Sequence, residues 1–297
     1  MANRRELVKR RKSVRNIRKI TRTMQLIATA RFQHAMNRAT ATKPYASTMG
    51  KMVAAAAKSA DKVDNPLLKT NDTGADALLV LTSNRGFCGG LNGNVLRLAM
   101  ETLADKKQAG ENVSLNVVGK KGIAYLRFLG EEMAMQEGNI DEQPRFEQVS
   151  GIADTMMDAY RDGKISSLNV CYMQFISAGV QRPAIMQLLP IAGIGGDEEG
   201  ESETTEPQPT AETKIDFSPE PAELLNELLP ASVRMRLFQC FTEAAASEQV
   251  ARMVAMKAAT DAAGDMIRVL TQQYNRARQT AITMELLDII GGVAAIS

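Results

Sequence analysis

Apolar positions near the start of the chain recur at Leu7, Val14, Ile17, Ile20, Met24, Ile27 and Ala28, mostly three, four or seven apart. Neither proline nor glycine occurs between Glu6 and Pro44. That period predicts a helix with an apolar stripe. The stripe continues through Met49, Met52, Val53 and Ala56 to about Ala60, with Pro44 expected to kink or break the helix. Asp64-Asn65-Pro66 is a stop signal. The far end mirrors this. Ile267, Leu270, Tyr274, Ala277, Ala281 and Met284 are spaced 3, 4, 3, 4, 3, the seam of a helix wrapped on another helix. A helix from Ala231 to Ile290 would be about 90 Å long, more than a domain of this size needs for its own core. The alternative is two helices of a compact bundle with a break near Gly264.

Between these helices the period changes. Ala77 to Thr82 is a buried-strand pattern, followed by the glycine-rich turn Ser83 to Asn92 and a helix to about Lys107. Val113 to Val118 is a second strand ended by Gly119-Lys120-Lys121-Gly122, with a short helix to Leu129. A weak strand at Met133 to Met135, a helix over 150–162, and strands at Leu168 to Ile176 and Ala184 to Leu189 follow. Alternating strands and helices predict an α/β layer with a mostly parallel sheet. Residues 193–213 are acidic and of low complexity, the composition of a solvated loop. A short helix over 217–230 then leads into the long one. The expected fold class is α/β: two long terminal helices forming an antiparallel coiled coil, with an inserted Rossmann-like α/β domain. The segments are an N-terminal coiled-coil helix (1–62), the α/β domain (75–192), the acidic loop (193–213) and a C-terminal coiled-coil helix (217–297).

The 297 residues carry a net charge of only +2, which hides a strong polarity. Residues 1–38 hold twelve Lys or Arg against Glu6 alone, whereas residues 194–212 hold seven acids and no base. The basic end calls for an acidic partner. Three dispersed cysteines, Cys88, Cys171 and Cys240, fit neither a disulfide framework nor a zinc site and suit a reducing compartment. No apolar run approaches the roughly 18 residues of a membrane span. The basic start lacks the apolar core of a secretory signal and is poor in serine for a transit peptide, so mature sequence is expected from the N-terminus.

Catalytic patterns are missing from the sequence. The single histidine, His34, argues against a histidine-based metal site, and there is no GxSxG elbow for a Ser-His-Asp triad. The turn Ser83 to Asn92 sits where phosphate loops sit, yet it is neither GxxxxGK[ST] nor GxGxxG. Its glycines, Gly86, Gly89 and Gly90, fit a tight turn instead. No catalytic residue, cofactor or metal is expected. The basic helix could track a nucleic-acid backbone, although Phe32 is its only aromatic residue. An acidic protein surface explains the same charge.

Three stretches carry a family resemblance: Ile17-Arg18-Lys19-Ile20-Thr21-Arg22-Thr23-Met24; Arg85-Gly86-Phe87-Cys88-Gly89-Gly90-Leu91-Asn92; and Ala246 to Asp261, continued by Tyr274 to Gln279 and Ile282-Thr283. In these the chain resembles the γ subunit of F-type rotary ATP synthases, in order and over its whole length. The resemblance implies a non-catalytic central rotor shaft. Its terminal helices would sit inside a ring of α and β subunits, and its α/β domain with the ε subunit on the membrane-embedded c-ring. It also implies that Arg10, Lys12, Arg18, Lys19 and Arg22 face an acidic loop of β, that Met24 contacts β, and that Arg252, Arg278, Gln279 and Thr283 meet β loops. The small-sided apolar end Ile289 to Ile296 suits a bearing. The plastid-type dithiol insertion is absent, so thiol regulation is not expected. Asn84 and Phe87 depart from the acid and leucine usual in the family, and Gly292 from its alanine. A bacterial chain, peripheral on the cytoplasmic face of the membrane, is the expected setting. The other readings are a nucleic-acid-binding protein using residues 1–38 and a nucleotide-using enzyme at residues 83–92.

Overall fold

The computed structural model describes residues 4–59, 65–71, 73–191 and 220–294. Ten elements follow in order: α1 (Arg4–Ser59), β1 (Ala75–Leu81), α2 (Leu91–Gln108), β2 (Val113–Val118), α3 (Lys120–Leu129), β3 (Met135–Glu137), α4 (Phe146–Arg161), β4 (Ile165–Ser177), β5 (Val180–Leu189) and α5 (Pro221–Ala294). The acidic loop expected at 193–213 lies outside the described residues. Contacts divide the chain into two units. One comprises Met1–Arg31, Phe87–Gly89 and Gln249–Ser297; the other comprises Phe32–Gly86 and Gly90–Glu248.

The second unit is built on a five-stranded sheet of order β3-β2-β1-β4-β5. β1 pairs parallel with β2 and β4, β2 pairs parallel with β3, and β5 closes the edge antiparallel to β4. The sheet is therefore mixed rather than purely parallel. β1 is central and buried along almost its whole length, which is why it reads as an unbroken apolar run. Its alternate side chains face opposite layers. Ala77, Leu79 and Leu81 join Val170 and Tyr172 of β4, Met156 and Tyr160 of α4, and Leu225, Leu229 and Phe241 of α5 in one core. On the α2 side, Cys171 sends its Sγ–H to the Val95 carbonyl at 3.6 Å. The edge strand β5 begins four residues before the predicted Ala184, with Gln181, Arg182 and Pro183. Charge and proline suit an edge whose backbone is half unpaired.

Two close approaches need glycine. Gly119 has φ +102°, and a Cβ there would come within 2.1 Å of the Thr82 carbonyl oxygen. A Cβ on Gly122 would stand 2.6 Å from Thr82 Oγ1. Thr82 holds this junction by donating to Val118 O at 2.8 Å and accepting from the Gly122 amide at 3.0 Å.

At the amino end of β1, Asp76 lies buried under Lys106 of α2 and accepts from Ser167 and Asn169 of β4. Burial opposes the charge on Lys106, but the Asp76 and Glu111 carboxylates outweigh it and raise the ammonium pKa. α4 is fixed to α5 by Arg234 and Asp154 at 2.7 Å and by an edge-on Phe146–Phe238 pair.

Both terminal helices override local breakers. Pro44 lies within α1, and α5 runs unbroken through Pro230 and Gly264. Of the kink or break expected at Pro44 the break does not occur, and the expected short helix before Ala231 is, from Pro221 on, the start of α5 itself. Packing of a long amphipathic face outweighs one lost backbone bond.

Candidate functional site

The helix pair forms the first unit. Three cross-helix contacts set its direction. Arg11 lies over the Tyr274 ring at 5.1 Å, a Cβ at Gly264 would lie 3.8 Å from the Arg18 guanidinium carbon, and Thr260 Oγ1 is 2.8 Å from Thr21 Oγ1. Positions rise along α1 as they fall along α5, so the helices are antiparallel. On α5, Thr260, Ala263, Ile267, Leu270, Tyr274, Ala277 and Ala281 are buried or half-buried at alternating spacings of three and four. The predicted seam holds from Ile267 to Ala281. Met284 is exposed and drops out of it.

The α1 side differs from its predicted stripe. Its buried positions are Leu7, Thr21 and Ala28, with Arg11, Val14, Met24 and Gln25 half-buried. Ile17, Ile20 and Ile27 point to solvent at about half exposure or more. The seam takes the arginine stems and threonine, and the most apolar face of α1 is left outside. Long basic side chains can cover apolar surface while the charge stays wet.

The basic residues expected at a partner surface are exposed: Arg10, Lys12, Arg18, Lys19 and Arg22. Arg10 also pairs with Glu6 at 2.7 Å. Arg278, Gln279 and Thr283 are exposed on α5, and Thr283 donates to the Gln279 carbonyl at 3.0 Å. Met24 is half-buried. Arg252 departs from the group. It is 6 % exposed, so its side chain is enclosed by the chain itself. The sequence reading did not single out Val8, Leu26, Val254, Met266 and Val269, apolar residues of the helix pair that are all exposed. Their signal was available: isoleucines at 17, 20 and 27 that fall off the heptad.

In the glycine-rich turn only Gly89, at φ +59°, needs to be glycine; Gly86 and Gly90 leave room for a Cβ. Phe87 has φ +63° and is 70 % exposed, an aromatic held in a costly conformation at the surface. Polar groups brace the turn internally and tie it to its neighbours, Arg85 lying 3.6 Å from Glu142. Asn92 accepts from the Ser83 amide and donates to Ser83 Oγ, which donates to Arg85 O. The Asn84 amide donates to Ile140 O and accepts from the Lys120 amide.

The crevice beside this turn lies at the carboxyl ends of β1 and β4, where strand order reverses and α/β folds bind ligands. Here Phe241, Ala244, Ala245 and Glu248 of α5 line it and leave a cavity of about 50 Å³. Small-molecule pockets need roughly 300 Å³ or more. The turn is a packing device.

Among the described residues, no His, Cys, Asp and Glu group is placed to hold a metal ion, and no helix is long and apolar enough to cross a membrane. The three cysteines are buried. Burial pushes the Cys171 thiol up to about 12, and burial with the nearby Glu243 raises Cys240 further.

The helix pair turns charged and apolar side chains outward, the kind of surface by which a protein touches other chains. Comparison with known proteins gives the family. The ATP synthase family model matches residues 3–296. The ATP synthase gamma chain of Rhodopirellula baltica is 43 % identical over 297 residues, covering 100 % of this chain and 99 % of that one. The gamma chain of Mannheimia succiniciproducens is 36 % identical over all of both chains. This chain belongs to the ATP synthase gamma-chain family. Its fold matches a chain of the Euglena gracilis mitochondrial ATP synthase, in an OSCP/F1/c-ring structure, with TM-score 0.68 at 18 % identity over 99 % of this chain and 94 % of that one.

Proposed function

We propose that this chain is the central rotor shaft of an ATP synthase, coupling rotation of a membrane-embedded c-ring to conformational change at nucleotide sites on β subunits. What carries the reading is the outward face of the helix pair. Arg10, Lys12, Lys19, Arg22, Arg278 and Gln279 stand exposed beside exposed Ile17, Ile20 and Leu26. A face of this kind suits contact with acidic and apolar surfaces of surrounding α and β subunits. An equilibrium shifts only where contacts differ between states, so a shaft with different side chains around its circumference drives each β site in turn. Catalysis belongs to β, and the shaft has no active site or cofactor of its own. The α/β domain is the part offered to the ε subunit and the c-ring, which places the chain peripherally on the cytoplasmic face of a bacterial membrane. Arg252, enclosed in the free chain, acts by bracing neighbouring side chains against β.

The test is reconstitution. The purified chain is mixed with α and β subunits, and ATP hydrolysis and complex size are followed together. The expected result is one complex containing this chain, with hydrolysis that depends on adding it. Absence of a complex, or ATP turnover by the chain alone after removal of β, overturns the reading.

A further inference from the structure

We propose that Thr21 and Thr260 are a register pin: a hydrogen-bonded hydroxyl pair that selects one alignment of α1 against α5 among those the heptad seam permits. The inference concerns the chain's own helices and stands apart from the assignment of its partners.

The seam discriminates weakly by packing alone. On α5, its positions between Ala263 and Ala281 are alanine, isoleucine, leucine and tyrosine, any of which accepts an aliphatic stem. On α1, alternate seam positions are Arg11, Arg18 and Gln25, whose flexible stems adapt to whatever they meet. A slip by one heptad gives up the Arg11–Tyr274 contact and the approach of Arg18 to Gly264 but sets similar flexible stems against similar seam positions. Thr21 and Thr260 are different. They are 8 % and 7 % exposed, and their hydroxyls meet across the seam at 2.8 Å.

Each hydroxyl also reaches back into its own helix, Thr21 to Arg18 O at 3.2 Å and Thr260 to Met256 O at 2.8 Å. A hydroxyl has one proton and two acceptor positions. One threonine therefore donates to its own backbone and the other donates across the seam. Both protons are used, and one hydroxyl oxygen accepts the cross-seam bond. A heptad slip in one direction would set Thr260 against Val14 and Thr21 against Met253, and in the other Thr260 against Ala28 and Thr21 against Ile267. Each proton could still find its own helix, but the cross-seam acceptor would be buried without a donor. A buried polar group at a single seam position fixes register at a cost in stability.

The experiment uses the full chain with spin labels at Ser13→Cys and Gln272→Cys, two exposed positions, while the natural cysteines are buried. The readout is the spin–spin distance distribution. The parent and the Thr21→Ser/Thr260→Ser variant, which keeps both hydroxyls, are expected to give a single population. The Thr21→Val/Thr260→Val variant keeps the side-chain shape and removes the bond. It is expected to give a second population at longer distance, produced by an axial slip of one heptad, about 10 Å. A single population of parental width in the double valine variant overturns the pin. If that variant does not fold by circular dichroism, each single valine variant decides in the same way: two populations support the pin, and one overturns it.

Discussion

Arg234 of α5 and Asp154 of α4 meet at 2.7 Å, yet the pair is only a minor part of what holds those helices together. Both side chains are more than a third exposed, and exposed ion pairs contribute at most about 1 kcal/mol. Beside them Phe238 is buried against Phe146. Arg234→Ala is expected to cost about 0.5–1 kcal/mol, and Phe238→Ala about 3–4 kcal/mol. Denaturant midpoints measure both. Equal losses would mean that charge, not packing, joins α4 to α5.

Lys106→Met removes the cation over buried Asp76 and leaves its carboxylate with only Ser167 and Asn169. A loss of about 2–3 kcal/mol is expected. Asp76→Asn/Lys106→Met should cost less than the single change, because no charge is then stranded. Chemical denaturation of the three variants settles it.

Stability should fall under alkaline conditions. The folded Cys171 holds its proton up to about 12, against an ordinary value of 9.0. The unfolded thiol ionises first, so the folded state loses ground as pH rises from 9 toward 12. Lys106, raised above its ordinary 10.5, adds to the same trend: its contribution is complete below that value and is lost as pH climbs past the folded one. Denaturant midpoints between pH 7 and 12 should be flat at first and then decline. Cys171→Ala should reduce the slope between 9 and 12. At pH 8 a thiol reagent should label all three cysteines only on unfolding.

Thr82 separates two glycine substitutions. Gly122→Ala meets its side chain, whereas Gly119→Ala meets its carbonyl oxygen at 2.1 Å as well as its Oγ1 and sits at φ +102°. Thr82→Ala should therefore recover about 1 kcal/mol or more of the loss from Gly122→Ala, and only a small part of that from Gly119→Ala, where the carbonyl clash and the positive φ remain. Equal recovery in both would show that the backbone yields at this junction.

Reversing Lys19 and Arg22 to Glu should weaken assembly with α and β subunits about tenfold near 0.05 M salt, and far less near 0.5 M, where exposed charges are screened. Sedimentation of the reconstituted complex at both salts reads this. An equal loss at both would assign packing, not charge, to these positions.

The legible parts of this fold were those where one chain answers its own pattern. β1 reads as a strand because both of its faces are covered, and Ile267 to Ala281 read as a seam because α1 covers them. Pro44 and Pro230 misled because a local rule cannot weigh the tertiary contacts that hold a helix through a proline. The start of β5 was missed because an edge strand is free to carry Gln181, Arg182 and Pro183. Ile17, Ile20 and Ile27 were taken for the inner stripe of α1, although Arg11, Thr21 and Gln25 occupy the seam. Hydrophobicity marks a surface to be covered without saying by which chain. For that reason exposed basic residues were nameable one by one, while the exposed isoleucines were assigned to the seam.

The outward ridge of Ile17, Ile20 and Ile27 also bears on how the chain can be made. Contiguous apolar surface left in water is an aggregation liability. Molecules synthesised beyond the supply of partner surface would adhere to one another or to membranes, or be degraded. Safe abundance of this chain is therefore set by the surface waiting to receive it, and balanced synthesis becomes a demand of one helix face.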